Sequence, residues 1–458
     1  MIKDISEFQR VFFIGVAGVG MSAIAQYLKG IGKDVAGSDR YFIDGQANRI
    51  REQLEAEGIQ CFSQGGSGLN KETDLVVVST AIEDSVPEVR AAKDFNIPII
   101  KRSEVLAVIA NSKRTIAVAG TSGKSSTSGM LFAILNKAGY EPSIISGAGL
   151  TSLIEKGKIG NAFVGNGDWL IIEADESDGS IVNYKPEIGL LLNIDKDHQE
   201  IAELKELFTI FKNNTEGRFI VNRSNSLASE FSANPAYDFG LENSDAKYRV
   251  DEFYQDGLSI EFQILSQAFS MDAIGMHSAE NAAGAVAVAN SIGIDLKVCS
   301  QSLANYKGIY RRHQILGKKN DVWIIDDYAH NPAKCAASIR ACQPLAKKVI
   351  AWFQPHGYGP TRFLQDEFVK EITNALRDTD EIWMSEIYYA GGTAKKDISS
   401  NDLISQIERN GKKAFFVEDR DDFLEKVRPS LDKDSVLLLM GARDPSLEEF
   451  SKNLFNQF

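Results

Sequence analysis

Short apolar runs alternate with helix-like stretches from one end of this 458-residue chain to the other, and that rhythm narrows the possible folds most. The runs are 11–14, 75–79, 115–119, 169–173, 188–192, 322–325, 348–353, 381–384 and 436–440. Runs this short, separated by helical stretches, read as buried parallel strands joined by crossover helices, which makes the chain α/β. In such sheets ligands sit beyond the carboxyl ends of the strands.

Length adds a domain count: at about 150 residues per domain, three are expected. Two polar interruptions just ahead of new strands, 111–114 and 308–319, divide the chain into 1–110, 111–313 and 314–458. The stretch 224–276 alternates less regularly and carries a hairpin pattern, FYQDGLSIEFQIL, so it is expected as an antiparallel edge of the middle domain. No run approaches eighteen apolar residues and no secretion signal opens the chain, so neither a membrane span nor export is expected, and the cytoplasm is the default compartment. A net charge of -13 disfavours nucleic acid and anionic membranes as partners, so any anionic ligand must be captured locally. Cys61, Cys299, Cys335 and Cys342 match neither a disulfide framework nor a zinc pair.

The sharpest local signal is AVAGTSGKSST, residues 117–127, where a strand runs into a glycine loop and then a helix. Backbone amides of Gly120, Thr121, Ser122, Gly123, Lys124, Ser125 and Ser126 can cradle phosphates, with the Lys124 ammonium on the terminal ones and the Ser125 hydroxyl on Mg2+. Downstream, IEADESD and LNIDKDH each follow an apolar strand, and Glu173 and His198 stand at those strand ends as candidate metal ligands. An earlier loop, IGVAGVGMS from Ile14 to Ser22, also joins a strand to a helix, with Asp39 nineteen residues beyond Gly20. That layout suits a dinucleotide or a nucleotide-sugar diphosphate equally well.

Together AVAGTSGKSST, EADESDGS, NIDKDH, GMHSAENAAGAVAVAN, YKGIYRRHQILG and IIDDYAHNP occur in the order of the Mur ligases, and the chain resembles that family over nearly its whole length. IGVAGVGMSAIA, IPIIKRSEVLA and FQPHGY make it most similar to the branch that couples L-alanine to UDP-N-acetylmuramate. The resemblance implies a Rossmann-like N-terminal domain for the UDP-sugar, a central ATP-binding P-loop domain with a mostly parallel sheet, and a C-terminal Rossmann-like α/β domain for the amino acid. It implies ATP and Mg2+ as cofactors, an acyl-phosphate intermediate, and UDP-N-acetylmuramate and a small amino acid as partners of a monomer or homodimer. By the same resemblance Lys124 and Ser125 serve the phosphates and metal, and Glu173 and His198 complete the Mg2+ site. His277 and Asn281 would lie near the adenine, Arg312 on the transferring phosphoryl, Asp327 on the ribose and His330 near the reacting centre. Gly15, Gly18, Gly20, Met21, Ser38, Asp39, Ser79 and Thr80 would hold the UDP-sugar, while His356 and Arg362 would present the amino-acid carboxylate.

The chain departs from the family pattern at three places. Ser122 replaces His or Asn in the phosphate loop, Ser278 follows His277 where Asn is usual, and Gly357 stands where an arginine would bind a carboxylate. Lys212 reads as an ordinary helix-surface lysine rather than a carbamylated metal ligand. The alternatives are a murein-recycling ligase that attaches a preformed tripeptide, a diverged paralogue, a non-catalytic nucleotide-binding protein, or an oxidoreductase using the first glycine loop.

Overall fold

The computed structural model describes residues 2–458 except 66–67, 80–81, 196–199, 390 and 392–393. Its residues fall into two compact units, the first drawn from 1–194, 199–249 and 281–309, the second mainly from 250–280 and 310–458.

Among the described residues the first unit holds two parallel sheets. One is built from β1 (Arg10–Ile14), β2 (Asp34–Asp39), β3 (Gln60–Ser63), β4 (Leu75–Val78) and β5 (Ile99–Lys101), in the order β3-β2-β1-β4-β5. Its strand order reverses at β1, whose carboxyl end runs into the first glycine turn. The other comprises β6 (Arg114–Ala119), β7 (Ser143–Ile145), β8 (Ala162–Phe163), β9 (Trp169–Ala174), β10 (Ile188–Leu191) and β11 (Arg218–Val221). Their order is β11-β10-β6-β9-β7-β8, with only the edge strand β8 antiparallel to its neighbour. Here the reversal falls at β6, so the phosphate-type turn also opens where α/β sheets present a crevice. Val118, Ile172 and Leu190 are wholly buried, which is why these strands read as unbroken apolar runs. One apolar core continues beneath both sheets, from Phe13 and Ile24 through Val105 to Leu170 and Phe208.

The hairpin expected in 224–276 is present, but it does not form an edge of the parallel sheet. β12 (Phe239–Leu241), β13 (Tyr248–Asp256), β14 (Ser259–Ile264) and β15 (Gln267–Asp272) make a sheet of their own. β13 and β14 meet across a tight turn in which Gly257 has φ 55, and β14 pairs antiparallel with β15. Ile260, Phe262 and Ile264 are buried while Glu261 is exposed, the alternation of a one-sided sheet, so it packs one face of its own.

The second unit's larger sheet is β16 (Gln314–Lys319), β17 (Val322–Asp327), β18 (Lys348–Gln354), β19 (Glu381–Ser385), β20 (Lys413–Val417) and β21 (Ser435–Gly441), in the order β16-β17-β21-β18-β19-β20. The stretch 308–319, expected as a polar interruption ahead of a strand, is therefore itself partly a strand. β16 returns on β17 through Asn320 and Asp321, both at positive φ (51 and 65), the conformation a two-residue hairpin turn demands and Asn and Asp tolerate. Its half-exposed, basic sequence lacks the apolar run that marks a buried strand.

Candidate active site

The turn after β6 is built from two glycines and one asparagine. Gly120 (φ 132) and Gly123 (φ 86) hold backbone angles that other residues rarely adopt, and a Cβ on Gly123 would stand 2.5 Å from Asn281 Oδ1. Asn193, the residue after Leu192 beyond β10, ties the turn down. Its Oδ1 accepts from the Ser122 amide (2.8 Å) and the Thr121 hydroxyl (2.9 Å), and its Nδ2 donates to the Ser122 carbonyl (3.1 Å). The helix Lys124–Lys137 begins at the end of this turn, which is the geometry of an anion-binding N-terminus.

Lys124 Nζ donates to the Gly120 carbonyl and to Glu176 Oε2, both at 2.7 Å, with Asp175 Oδ1 at 3.6 Å. Burial works against its charge, but Glu176 and Asp175 outweigh burial and lift its pKa above the ordinary lysine value. Asp175 is likewise opposed by burial, yet Lys124 and hydrogen bonds from Ser177 hold it below the usual carboxylate range. The ammonium is thus pre-positioned and charged on the phosphate side of the turn.

Ser125 Oγ donates to Glu173 Oε2 at 3.0 Å, while Ser146 Oγ (2.6 Å) and the Gly147 amide (2.7 Å) donate to Glu173 Oε1. Two hard oxygens therefore converge at the mouth of the turn, one orientated by Ser146, and that donor set suits Mg2+ bound jointly with phosphates. Among the described residues no group of three or more His, Cys, Asp and Glu forms a self-sufficient metal cage. His198 and Thr80 lie outside the described residues.

The first glycine turn is held differently. Gly15 and Val16 amides donate to the Ser38 carbonyl (2.7 and 3.1 Å), and Asp39 accepts from the Ala17 amide (2.9 Å) and the Tyr41 amide (3.0 Å). Gly18 caps the helix Val19–Gly30, whose first turn carries no acidic residue. The Met21 side chain is buried in the core beneath the turn. Ser79 accepts from the Ile82 amide at the end of β4.

Within the second unit, the ends of β17 and β18 gather the remaining candidates. Asp327 Oδ1 accepts from the His313 amide (3.0 Å), and Ser338 Oγ donates to Asp327 Oδ2 and lies 2.7 Å from His313 Nε2. Burial alone would raise Asp327; His313 and Arg312 pull it below the usual range instead. The His277 ring lies 5.0 Å from that of His313, tilted by 37°, and burial pushes its pKa down to about 3, so it stays neutral. Arg312 lies 4.9 Å over the Tyr328 ring, between Arg311 and His313, both at positive φ. The His330 and His356 rings lie 5.7 Å apart, and burial holds His330 well below its ordinary value. Arg362 pairs with Asp397 and donates to the Lys395 carbonyl (3.0 Å), so its guanidinium is already engaged. Lys212 is half-buried on the helix Ile201–Asn214.

Family models match three successive segments: "Mur ligase family, catalytic domain" over 10–114, "Mur ligase middle domain" over 118–289 and "Mur ligase, glutamate ligase domain" over 311–443. A UDP-N-acetylmuramate–L-alanine ligase of Carboxydothermus hydrogenoformans is 32% identical over 96% of this chain and 95% of its own length. That of Aquifex aeolicus is 32% identical over 97% and 98%. The chain belongs to the Mur ligase family. Among solved structures, the UDP-N-acetylmuramate-alanine ligase of Thermotoga maritima superposes with a TM-score of 0.78 at 24% identity, over 98% of both chains. A murein peptide ligase from Psychrobacter arcticus gives 0.67 at 20%, again over 98% of both. The three-domain α/β architecture expected from the sequence is that of the family.

Asn193, Ser146, His313 and Ser338 hold the candidate residues in place without being candidates themselves. Asn193 belongs to NIDKDH and His313 to YKGIYRRHQILG, while Ser146 and Ser338 carry no motif of their own. Each acts as a hydrogen-bond partner to a motif residue from far along the chain, a relation that spacing does not encode.

Proposed function

We propose that this Mur ligase activates the carboxylate of UDP-N-acetylmuramate with ATP and joins it to an amino acid, L-alanine first among candidates. The observation that carries this reading is the phosphate turn with Lys124, Ser125 and Glu173 converging at its mouth, in a chain related end to end to ligases of that name. The three-domain division near 110 and 313 belongs to the same reading.

In this scheme the turn amides and Lys124 bind the β- and γ-phosphates, and Ser125 and Glu173, with His198, hold Mg2+, which supplies charge neutralisation when bound. The substrate carboxylate oxygen attacks the γ-phosphorus and ADP leaves, giving an acyl phosphate. Arg312 neutralises charge on the moving phosphoryl, Asp327 holds the ribose, and His277 and Asn281 border the nucleotide. The amine then attacks the acyl carbon, inorganic phosphate departs, and the amine proton is lost to solvent, with His330 near the reacting centre. The first glycine turn, with Ser38, Asp39, Ser79 and Thr80, holds the UDP-sugar, and His356 and Arg362 face the acceptor.

A second acceptor reading rests on Gly357. It has φ 73 and opens the short helix Tyr358–Phe363, so this position offers no side chain to a carboxylate and would strain an arginine put there. A preformed tripeptide is then the competing acceptor. Phosphate release with UDP-N-acetylmuramate against L-Ala, Gly, L-Ser and L-Ala-γ-D-Glu-meso-diaminopimelate separates the two. Turnover with L-Ala is expected; release with the tripeptide alone would reassign the acceptor, and none with any would reject the reaction.

A further inference from the structure

The segment 311–313 lies beside the carboxyl end of β17 and is fastened there on both sides. Arg311 lays its guanidinium on Asp326 (Nε to Oδ2 2.8 Å, Nη2 to Oδ1 3.1 Å), and its carbonyl accepts from the Tyr328 amide (2.8 Å). His313, at φ 45, turns back so that its own amide donates to Asp327 Oδ1 at 3.0 Å. Its ring addresses the other oxygen of the same carboxylate indirectly. Nε2 stands 3.7 Å from Oδ2, too far for a hydrogen bond, and Ser338 Oγ bridges the two, 2.7 Å from Nε2 and donating to Oδ2.

Counting hydrogens fixes the direction of this chain. Ser338 has one hydroxyl proton, and a carboxylate can only accept. Asp327 is buried, yet His313 and Arg312 hold it below the usual carboxylate range, so it is ionised and takes that proton's hydrogen bond. The Ser338 oxygen can then only accept from His313, which places the ring proton on Nε2. The order is Nε2–H to Oγ and Oγ–H to Oδ2, two bonds in series that polarise one another.

The surroundings leave this relay intact at neutral pH. His277, on the helix Met276–Ser291, is neutral; Cys335 and Cys342, on the helix that carries Ser338, are buried thiols pushed up from their ordinary value; and Asp326 is paired with Arg311. A carboxylate has roughly four lone-pair sites. On Asp327 the described residues take one on each oxygen, from two directions, which turns the carboxylate into a fixed two-pronged acceptor. A pair of hydroxyls on neighbouring carbons is the group that matches it.

We infer that His313 and Ser338 are positioning residues for Asp327: the relay sets the roll of its carboxylate so that both oxygens meet the 2′- and 3′-hydroxyls of the nucleotide ribose, and so decides the preference for a ribonucleotide over its deoxy forms. The inference rests on the proposed ribose role of Asp327 and deepens it.

The test is calorimetric binding of ADP, 2′-deoxyADP and 3′-deoxyADP, with the steady-state KM for ATP and for UDP-N-acetylmuramate, on wild type, Asp327→Asn, Ser338→Ala, Ser338→Thr, His313→Phe and His313→Gln. His313→Phe keeps a ring beside His277 without a donor, whereas His313→Gln returns an N–H near the place of Nε2. Wild type should bind ADP at least about 10-fold more tightly than either deoxynucleotide, the size expected for hydroxyls donating to a carboxylate. Ser338→Ala and His313→Phe should shrink that preference to within about 3-fold and raise the ATP KM but not the sugar-nucleotide KM, and Ser338→Thr and His313→Gln should recover most of it. A preference lost in Asp327→Asn but kept in both Ser338→Ala and His313→Phe overturns the inference alone. So does a loss that Ser338→Thr and His313→Gln fail to restore, because packing rather than hydrogen bonding would then be the cause. A wild type indifferent to the missing hydroxyls, or an Asp327→Asn as selective as the wild type, overturns the ribose reading itself, and the inference with it.

Discussion

The molecule contains two strand–glycine–helix turns of nearly the same sequence grammar, and they are held by different physics. The turn at Gly120–Lys124 is bound by side chains: Asn193 from beyond β10, Glu176 from beyond β9, and Glu173 from the end of β9. The turn at Gly15–Gly20 is bound by backbone carbonyls and by Asp39, the last residue of the neighbouring strand. The first design concentrates charge, with an ammonium between two carboxylates. The second places no acidic residue in the first turn of its helix, and the cation nearest it, Arg102, is paired with Asp178. The lesson is that a glycine turn supplies amides, while the residues arriving from other strands decide which charge it waits for.

The largest expected effect separates the two turns outright. Lys124→Ala should lower phosphate release by at least about 100-fold while the far-ultraviolet dichroism spectrum is kept, because the ammonium is the preorganised charge at the phosphate turn. Turnover within a few-fold of wild type would erase the distinction drawn above. Asn193→Ala comes next. Losing three hydrogen bonds to Thr121 and Ser122 should raise the ATP KM about 10-fold with the sugar-nucleotide KM little changed, in steady-state assays with each substrate varied in turn.

The pH profile sharpens the electrostatic half of the comparison. Lys124 is held above the ordinary lysine value of 10.5, so its charge and the stability drawn from its pairing are fully present below that pH and are lost only as pH rises through the higher folded value. In Glu176→Gln the burial that opposes the charge loses its main counterweight. The alkaline limb of kcat/KM should then move to lower pH, as read from rates carried well into the alkaline range. An unmoved limb would mean that Asp175 alone sustains the lysine's charge. The smallest effect belongs to the first turn. Asp39→Asn should cost the Ala17 amide about 1 kcal/mol of local protection, seen as roughly 5-fold faster hydrogen exchange there, with exchange at Ser122 unchanged.

Legibility in the sequence followed burial. The strands that lie inside the sheets, such as 115–119, 169–173 and 436–440, are mostly apolar because both faces are covered, and all three appear as β6, β9 and β21. β16 escaped because an edge strand keeps its lysines, and the small antiparallel sheet was misplaced because alternation reveals a half-buried strand without saying what covers it. The site shows the same divide. Gly120, Gly123, Lys124 and Ser125 lie in one short stretch and could be read as one motif; Asn193 lies about seventy residues away and Glu176 about fifty.

What the chain's sequence settled alone was therefore everything local or repetitive: an α/β periodicity, the two glycine turns, and the ordered motifs that mark a Mur ligase. Tertiary structure alone settled which charge meets which. Lys124 faces Glu176, Glu173 faces Ser125 and Ser146, and Arg102 rests on Gly20. The reason is physical: backbone conformation depends on near neighbours along the chain, whereas an electrostatic partner is chosen by proximity in space, which comes into being only when the strands have been ordered.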